Sequence, residues 1–377
     1  MAFQIPTEVL LQIVKHQSAN DDLRYASLTC KALRDDAQQI LFRTPVPRTA
    51  YHHLIFLDAI LSSPDRLGPM VREYVHVSGS AYCDGEDEVL IEKTGRMLRA
   101  MCNLKRLAFR NAKKLPASVL DNTTFQLDAF DWGSSHDNSD ILHWFLLTQP
   151  GLKHLTYHGK WAPDDVESLC PRLRSVTGGM AAVQLFVTGK RVTHLQWTPQ
   201  DRNEDFAAAP YLESKLKRVR FLTCRATREG LPWFASQLRS LVLLEMSGLG
   251  LGFDYNELRI GLENIWTLEV LILVDYVPPT QAPADPLYIN KVARDIFSWC
   301  LYLEHIDISC SSSTDEHQQF RRFHRAGTLK GIDREGVMVE EATVYAWILS
   351  KFEGEAIRMP AVVKREVEPD WWLVGSR

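Results

Sequence analysis

The sequence predicts an α/β chain: a helical N-terminal unit, then an irregular solenoid in which short parallel strands alternate with helices. Three observations predict it. Residues 5–42, IPTEVLLQIVKHQSANDDLRYASLTCKALRDDAQQILF, carry apolar residues at helical spacing and more of them than so small a unit buries alone. After residue 100, an apolar residue followed by others three and five places later recurs along the chain. Between its copies lie segments of helical periodicity, such as SDILHWFLLTQPG, DDVESLCP and INKVARDIFSWC.

In the N-terminal unit, Pro6 suits the first helical turn and Glu8 complements the helix dipole. Val9, Leu10, Leu11, Ile13 and Val14 cover an arc wide enough to meet two partners. Asn20 or Asp21 can cap a second helix, with Asp21 and Asp22 as N-cap residues. On that helix Leu23, Ala26, Cys30, Leu33, Ala37 and Leu41 form one stripe, whereas Tyr25, Leu28 and Ala32 lie on a different face. One face closes the unit on itself. The other must meet something else.

The ordered set Ile5-Pro6-x-Glu8-Val9-Leu10, then Leu23…Leu28-x-Cys30-Lys31-x-Leu33, resembles the F-box, the module that docks on the Skp adaptor of cullin–RING ubiquitin ligases. The closing ILFRTPV is similar to the end of fungal F-boxes. The chain departs from the family at Ile5, where Leu is usual, and at Thr29, where Val is common. The resemblance implies that Pro6, Leu10, Ile13, Leu28 and Cys30 face the adaptor.

The recurrent pattern runs Leu104/Leu107/Phe109, Leu127/Phe130/Trp132, Leu152/Leu155/Tyr157 and Val192/Leu195/Trp197. It continues with Leu216/Val219/Phe221, Leu238/Leu241/Leu243, Leu268/Leu271/Leu273 and Leu303/Ile306/Ile308. Leu173/Val176 is a weaker copy ending in Gly178, and Val75-His-Val77 is a candidate earlier one. The alternation suits a short strand with one buried face. One strand and one helix per unit resembles the leucine-rich repeat, over residues 70–310; such units stack because none buries its apolar face alone. The position eight after the first Leu, normally Asn or Cys, is filled correctly only by Cys224. The expected division is 1–46 F-box, 47–310 solenoid and 311–377 C-terminal cap and tail.

Residues between the buried positions then face outward as a binding surface. Its early part is polar, with His154, His158 and His194 near one another; Arg220 follows. Its later part gathers Leu222, Val242, Leu244, Val270, Ile272 and Val274. An exposed apolar cluster marks a partner site, or is covered by another part of the chain. The C-terminal EPDWWLVGSR is a candidate cover, displaced when a target binds.

Other features exclude classes of function. A formal net charge of −4 argues against nucleic-acid binding over the whole surface. Seven scattered cysteines without a CxxC pair point to reduced thiols in the cytosol or nucleus. No apolar run is long enough to span a bilayer. Ser134, Ser135, His136 and Asp137 sit in a turn-rich loop where adjacency gives no triad geometry. His52-His53 lacks the spacing of a metal pair and is expected to pack at the F-box junction. His154 and His158 have that spacing, but on a strand they do not converge. Asp164-Asp165 reads as a helix cap, residues 277–286 as an exposed loop, and residues 317–330 as the solvated face of a capping helix. No nucleotide or zinc motif is present, and no catalytic residue, cofactor or metal is expected. The resemblances imply a non-catalytic substrate receptor of an SCF-type ubiquitin ligase, its F-box on a Skp adaptor and its solenoid on a target protein. The alternative is a ligase-independent interaction scaffold.

Overall fold

The computed structural model describes residues 12, 14, 20–29, 31–45, 47, 49–76, 88–110, 115–133, 141–158, 169–187, 190–198, 216–225, 230–247, 255–274, 286–309, 319–325 and 336–351. Helices α1 (Asn20–Thr29) and α2 (Lys31–Arg43) pack on each other. Leu23 and Ala37 share a small core with Val14, and Ala26, Leu33, Ile40 and Leu41 line it. The described residues of the predicted stripe therefore face one core, Leu23 and Ala37 buried and Ala26, Leu33 and Leu41 half-buried, but on two helices instead of one; Cys30 lies outside the described residues. In a single straight helix, Leu23 and Ala37 would stand about 21 Å apart and could not meet. Asp21 and Asp22 lie inside α1, in its first turn, not ahead of it.

Helix α3 (Ala50–Ser62) begins at Thr49, whose extended backbone (φ −125°, ψ 160°) lets its hydroxyl accept the His52 N–H at 3.2 Å. A short helix α4 (Pro64–Leu67) with proline at its start follows. The chain then runs through β1 (Glu73–His76), α5 (Glu88–Ala100), β2 (Arg106–Phe109), β3 (Ala129–Trp132), β4 (His154–Tyr157) and β5 (Ser175–Gly178). Next come α6 (Met180–Phe186), β6 (His194–Trp197), β7 (Phe221–Arg225), α7 (Gly230–Ala235), β8 (Leu243–Ser247), α8 (Tyr255–Glu263) and β9 (Val270–Leu273). Helix α9 (Pro286–Trp299), β10 (His305–Ser309), β11 (Gln319–His324), β12 (Val337–Glu340) and α10 (Glu341–Lys351) close it.

Among the described residues, the twelve strands form one mixed sheet in chain order. β1 to β10 are parallel, and β10, β11 and β12 form an antiparallel meander. Where the strands begin, backbone amides bond from unit to unit: Lys153 to Asp128, Arg174 to Lys153, Thr193 to Arg174, Arg220 to Thr193 and Val242 to Arg220, at 2.8–2.9 Å. Helix α7 packs on α8 and α8 on α9, so these connections stack behind the sheet. A continuous core fills the space between, from Leu107, Phe130 and Leu155 to Leu271 and Ile306.

The register bears out most of the expected buried positions and corrects three. Leu195 pairs with Leu222 and Trp197 with Cys224; Leu222 pairs with Leu244. The repeating triplets in β7 and β8 are thus Val219/Leu222/Cys224 and Leu241/Leu244/Met246, three residues later than expected, and all six side chains are buried. Cys224 is consequently a buried strand residue, not the residue eight places after the first Leu. In β1 the inward residues are Tyr74 and His76, opposite Leu107 and Phe109, and not Val75; Val77 lies outside the described residues. Residues 317–330 contain strand β11, not a capping helix: Phe320 and Phe323 are buried on opposite faces of the sheet.

Gly178 ends β5 at φ +156°, where an added Cβ would stand 2.1 Å from the Tyr157 carbonyl oxygen. Only glycine lets the fourth and fifth strands approach in this way. Among the described cysteines, Cys170, Cys224 and Cys300 are buried free thiols and Cys102 is exposed. Burial pushes the Cys170 thiol up to about 11, with the nearby Lys190 acting the other way.

Candidate functional site

Two surfaces stand out, one on the N-terminal helices and one on the sheet face opposite the core. On α1, the stripe that includes Leu23 is buried while Tyr25 and Leu28 stand 71% and 79% exposed. The Thr29 hydroxyl donates back to the Tyr25 and Ala26 carbonyls at 2.9 and 2.8 Å, so its polar atom is satisfied within the helix. Of the five residues that the resemblance assigns to an adaptor, Leu28 is described; Pro6, Leu10, Ile13 and Cys30 lie outside the described residues. Exposed leucine and tyrosine three residues apart form one apolar ridge.

This unit is tied to the sheet. Phe42 of α2 stacks on Phe56 of α3 (6.1 Å), which stacks on Tyr74 of β1 (5.5 Å). The Arg72 N–H donates to the Arg43 carbonyl at 2.9 Å. Beside them His53 is fully buried, its Nδ1 2.5 Å from the Tyr74 hydroxyl and its ring 4.4 Å from that of His76. Burial, and then the neighbouring His76, lower its pKa to about 3. His52 instead lies at the surface, its Nδ1 3.0 Å from the Thr49 hydroxyl.

On the open face of the sheet, His154 of β4, Ser175 of β5 and His194 of β6 occupy one row, each paired with the next. His158 follows β4 and lies farther along the same strand direction, so the three histidines do not converge on a point. The His194 ring stacks on Phe221 at 4.4 Å and 9°, with the Arg220 guanidinium 5.7 Å from the centre of that phenyl ring. Burial, with the charges of His154 and Arg220 behind it, lowers His194 to about 4, so it is neutral near pH 7. The neighbouring rows hold the Arg110–Asp131 ion pair (3.0 Å) and a Thr177-to-Gln196 hydrogen bond (3.3 Å). Among the described residues, no three His, Cys, Asp or Glu side chains are placed to hold a metal ion. Ser134, Ser135, His136 and Asp137 lie outside the described residues.

The later half of this face is covered. Phe221, Leu243, Val270, Ile272 and Phe320 pack with Val344 of α10, and Val242, Val274, Val339 and Tyr345 join them. The expected apolar cluster is therefore real at Val242, Val270, Ile272 and Val274. Leu222 and Leu244, however, point into the core behind the sheet, because the register of β7 and β8 is shifted by three. The cover is α10. The expected tail segment, residues 368–377, lies outside the described residues.

Polar groups that sequence patterns did not single out sit beneath α10. The Tyr345 hydroxyl donates to Glu245 at 3.1 Å and the Thr223 hydroxyl donates to it at 3.3 Å. Burial raises the Glu245 carboxyl above its usual range, partly offset by those two bonds. Arg322 donates twice to Asp307 at 2.9 Å, and His305 Nε2 lies 2.8 Å from the same carboxylate. Burial pulls Asp307 up, but the bonds from His305 and Arg322 prevail and hold it below the usual range. Glu245 could have been noticed as a lone acid in LVLLEM, whose other residues are apolar. Arg322 fills Asp307 and both are buried, so this cluster holds β10 to β11 and presents no free base to a ligand.

The chain matches no protein-family model, and no curated protein matches it in sequence. Among the described residues, no helix is long and apolar enough to cross a membrane.

Proposed function

We propose that this protein is the substrate-recognition subunit of an SCF-type ubiquitin ligase, located in the cytoplasm or nucleus. The N-terminal helices act as an F-box that docks on a Skp adaptor, and the strand–helix units act as degenerate leucine-rich repeats that hold a target protein. The observation that carries this is Leu28: it stands 79% exposed, beside exposed Tyr25, on a helix whose opposite stripe is already buried. An apolar ridge left over after the unit has closed its own core suits a partner's groove. The polar rows around His154, His158, His194 and Arg220 are the part of the sheet face that no described helix covers and would meet the target. Catalysis of transfer would come from proximity, since holding a target lysine near the ubiquitin thioester raises its effective concentration. The chain itself would move no proton.

Co-purification with a Skp adaptor tests the reading. Wild-type chain is expected to retain adaptor stoichiometrically, and Leu28→Asp to lose at least tenfold in affinity with an unchanged melting temperature, because the side chain is exposed. A folded wild type that binds no adaptor would instead favour the ligase-independent scaffold, and a variant that binds as well as wild type would remove Leu28 from the adaptor contact.

A further inference from the structure

The edge of the sheet where the strands begin carries a second pattern. Before each of several strands the chain makes the same tight turn, closed by an amide three residues along: Leu173 to Cys170, Val219 to Leu216, Leu241 to Leu238 and Leu303 to Cys300, at 3.0–3.2 Å. Register places the centres of these turns side by side. Ahead of β5 they carry Arg172, ahead of β7 Lys217 and Arg218, and ahead of β8 Arg239; ahead of β6 Arg191 immediately precedes Val192 as Arg172 precedes Leu173, and all five are exposed. Among the described residues, none of these five forms an ion pair.

The same edge changes character at the next two units. The equivalent turns ahead of β9 and β10 present Trp266, Leu301 and Tyr302, exposed by 69%, 74% and 67%. A basic stretch thus runs directly into an apolar one. With strands about 4.8 Å apart, the five steps from β5 to β10 span roughly 24 Å, which about seven residues of extended chain cover.

The chain contains a segment with the complementary order. Glu366, Glu368 and Asp370 are followed at once by Trp371, Trp372, Leu373 and Val374. Fourteen residues separate Lys351, the end of α10, from Glu366 (366 − 351 − 1), a reach of up to about 45 Å. We infer that the strand-entry edge of β5–β10 is the docking site of the chain's own segment Glu366–Val374. The acidic residues pair with Arg172, Arg191, Lys217, Arg218 and Arg239; the tryptophans and Leu373 lie on Trp266, Leu301 and Tyr302. The assignment is independent of whether the N-terminal helices meet an adaptor.

Lys217 is the only amine among these five basic residues, so carbodiimide coupling of carboxylates to amines tests the contact in the full chain. A zero-length cross-link from Lys217 to Glu366, Glu368 or Asp370 is expected within one chain. It should fall at least tenfold in Arg172→Glu/Arg191→Glu/Arg218→Glu, whose exposed positions leave the fold intact, and at high salt. Trp371→Ser/Trp372→Ser, which alters no side chain of the sheet or its core, should also reduce it and covers the case that the charge-reversed variant misfolds. Absence of the cross-link in wild type, its persistence in both variants, or its appearance only between isotopically labelled and unlabelled chains overturns the assignment.

Discussion

The two halves of the sheet share one core but differ on the opposite face. In β3, β4 and β6, buried and half-buried residues alternate strictly. In β8, β9 and β10 nearly every residue is buried, because α10 lies over Leu243, Val270 and Ile272 and the meander extends the covered face beyond β10. The difference is one of solvent, not of strand geometry. Where water wets one face, polar residues occupy it and bind or exchange ions; where a helix covers it, the strand becomes apolar on both sides.

The largest effect that would break this comparison lies in the shifted register. Leu244→Ala is expected to destabilise the fold by about 3 kcal/mol, as a fully buried core residue does. Val242→Ala, which rims the covered face, should cost less than half of that; denaturant unfolding of both variants measures the difference. Equal costs would restore the unshifted register.

Gly178→Ala comes next, with an expected loss of about 2 kcal/mol or more, since the added carbon would meet the Tyr157 carbonyl and the backbone conformation disfavours it. Thermal unfolding should show it, with no rescue by serine.

Tyr345→Phe removes one donor from buried Glu245 and should cost about 1 kcal/mol, mostly by loosening α10. The raised pKa fixes the sign of a pH effect: the folded state holds the Glu245 proton more tightly than the unfolded chain, so the attachment of α10 is strongest at acidic pH and weakens as pH rises through the folded pKa. Amide hydrogen exchange in α10, corrected for its intrinsic pH dependence, should follow that course, and Glu245→Gln should flatten it.

The smallest effect sharpens the wet half. Arg220→Ala removes one of the charges that lower His194 and should move that histidine upward from about 4, as an NMR titration would record.

The same comparison explains what was legible in the sequence. The buried positions of β3, β4 and β6 could be assigned because one face is partly wet and its polar residues mark the alternation. In LRSLVLLEMS both faces are apolar, so Leu238, Leu241, Leu243, Leu244 and Met246 fit two frames equally and the wrong one was expected. Phe320 and Phe323 misled for a related reason: three apart, they suit a helix face, but each serves a different side of a strand. A Val75-His-Val77 copy of the pattern would turn His76 away from the core, whereas β1 buries it against Phe109 at 6.0 Å. The exposed Tyr25–Leu28 face was readable because a helical stripe fixes the opposite side. Glu245 and Tyr345, a hundred residues apart, were not, since no local pattern links them.

Strand order that follows chain order without interruption makes the sheet a ruler. The N-terminal helices are anchored at β1 and α10 lies over the far strands, with the parallel run between them. Inserting or removing one strand and its connection would lengthen or shorten that separation by about 4.8 Å of path and leave both ends unchanged. The number of units, more than any one side chain, sets how far whatever is held at one end stands from whatever is held at the other.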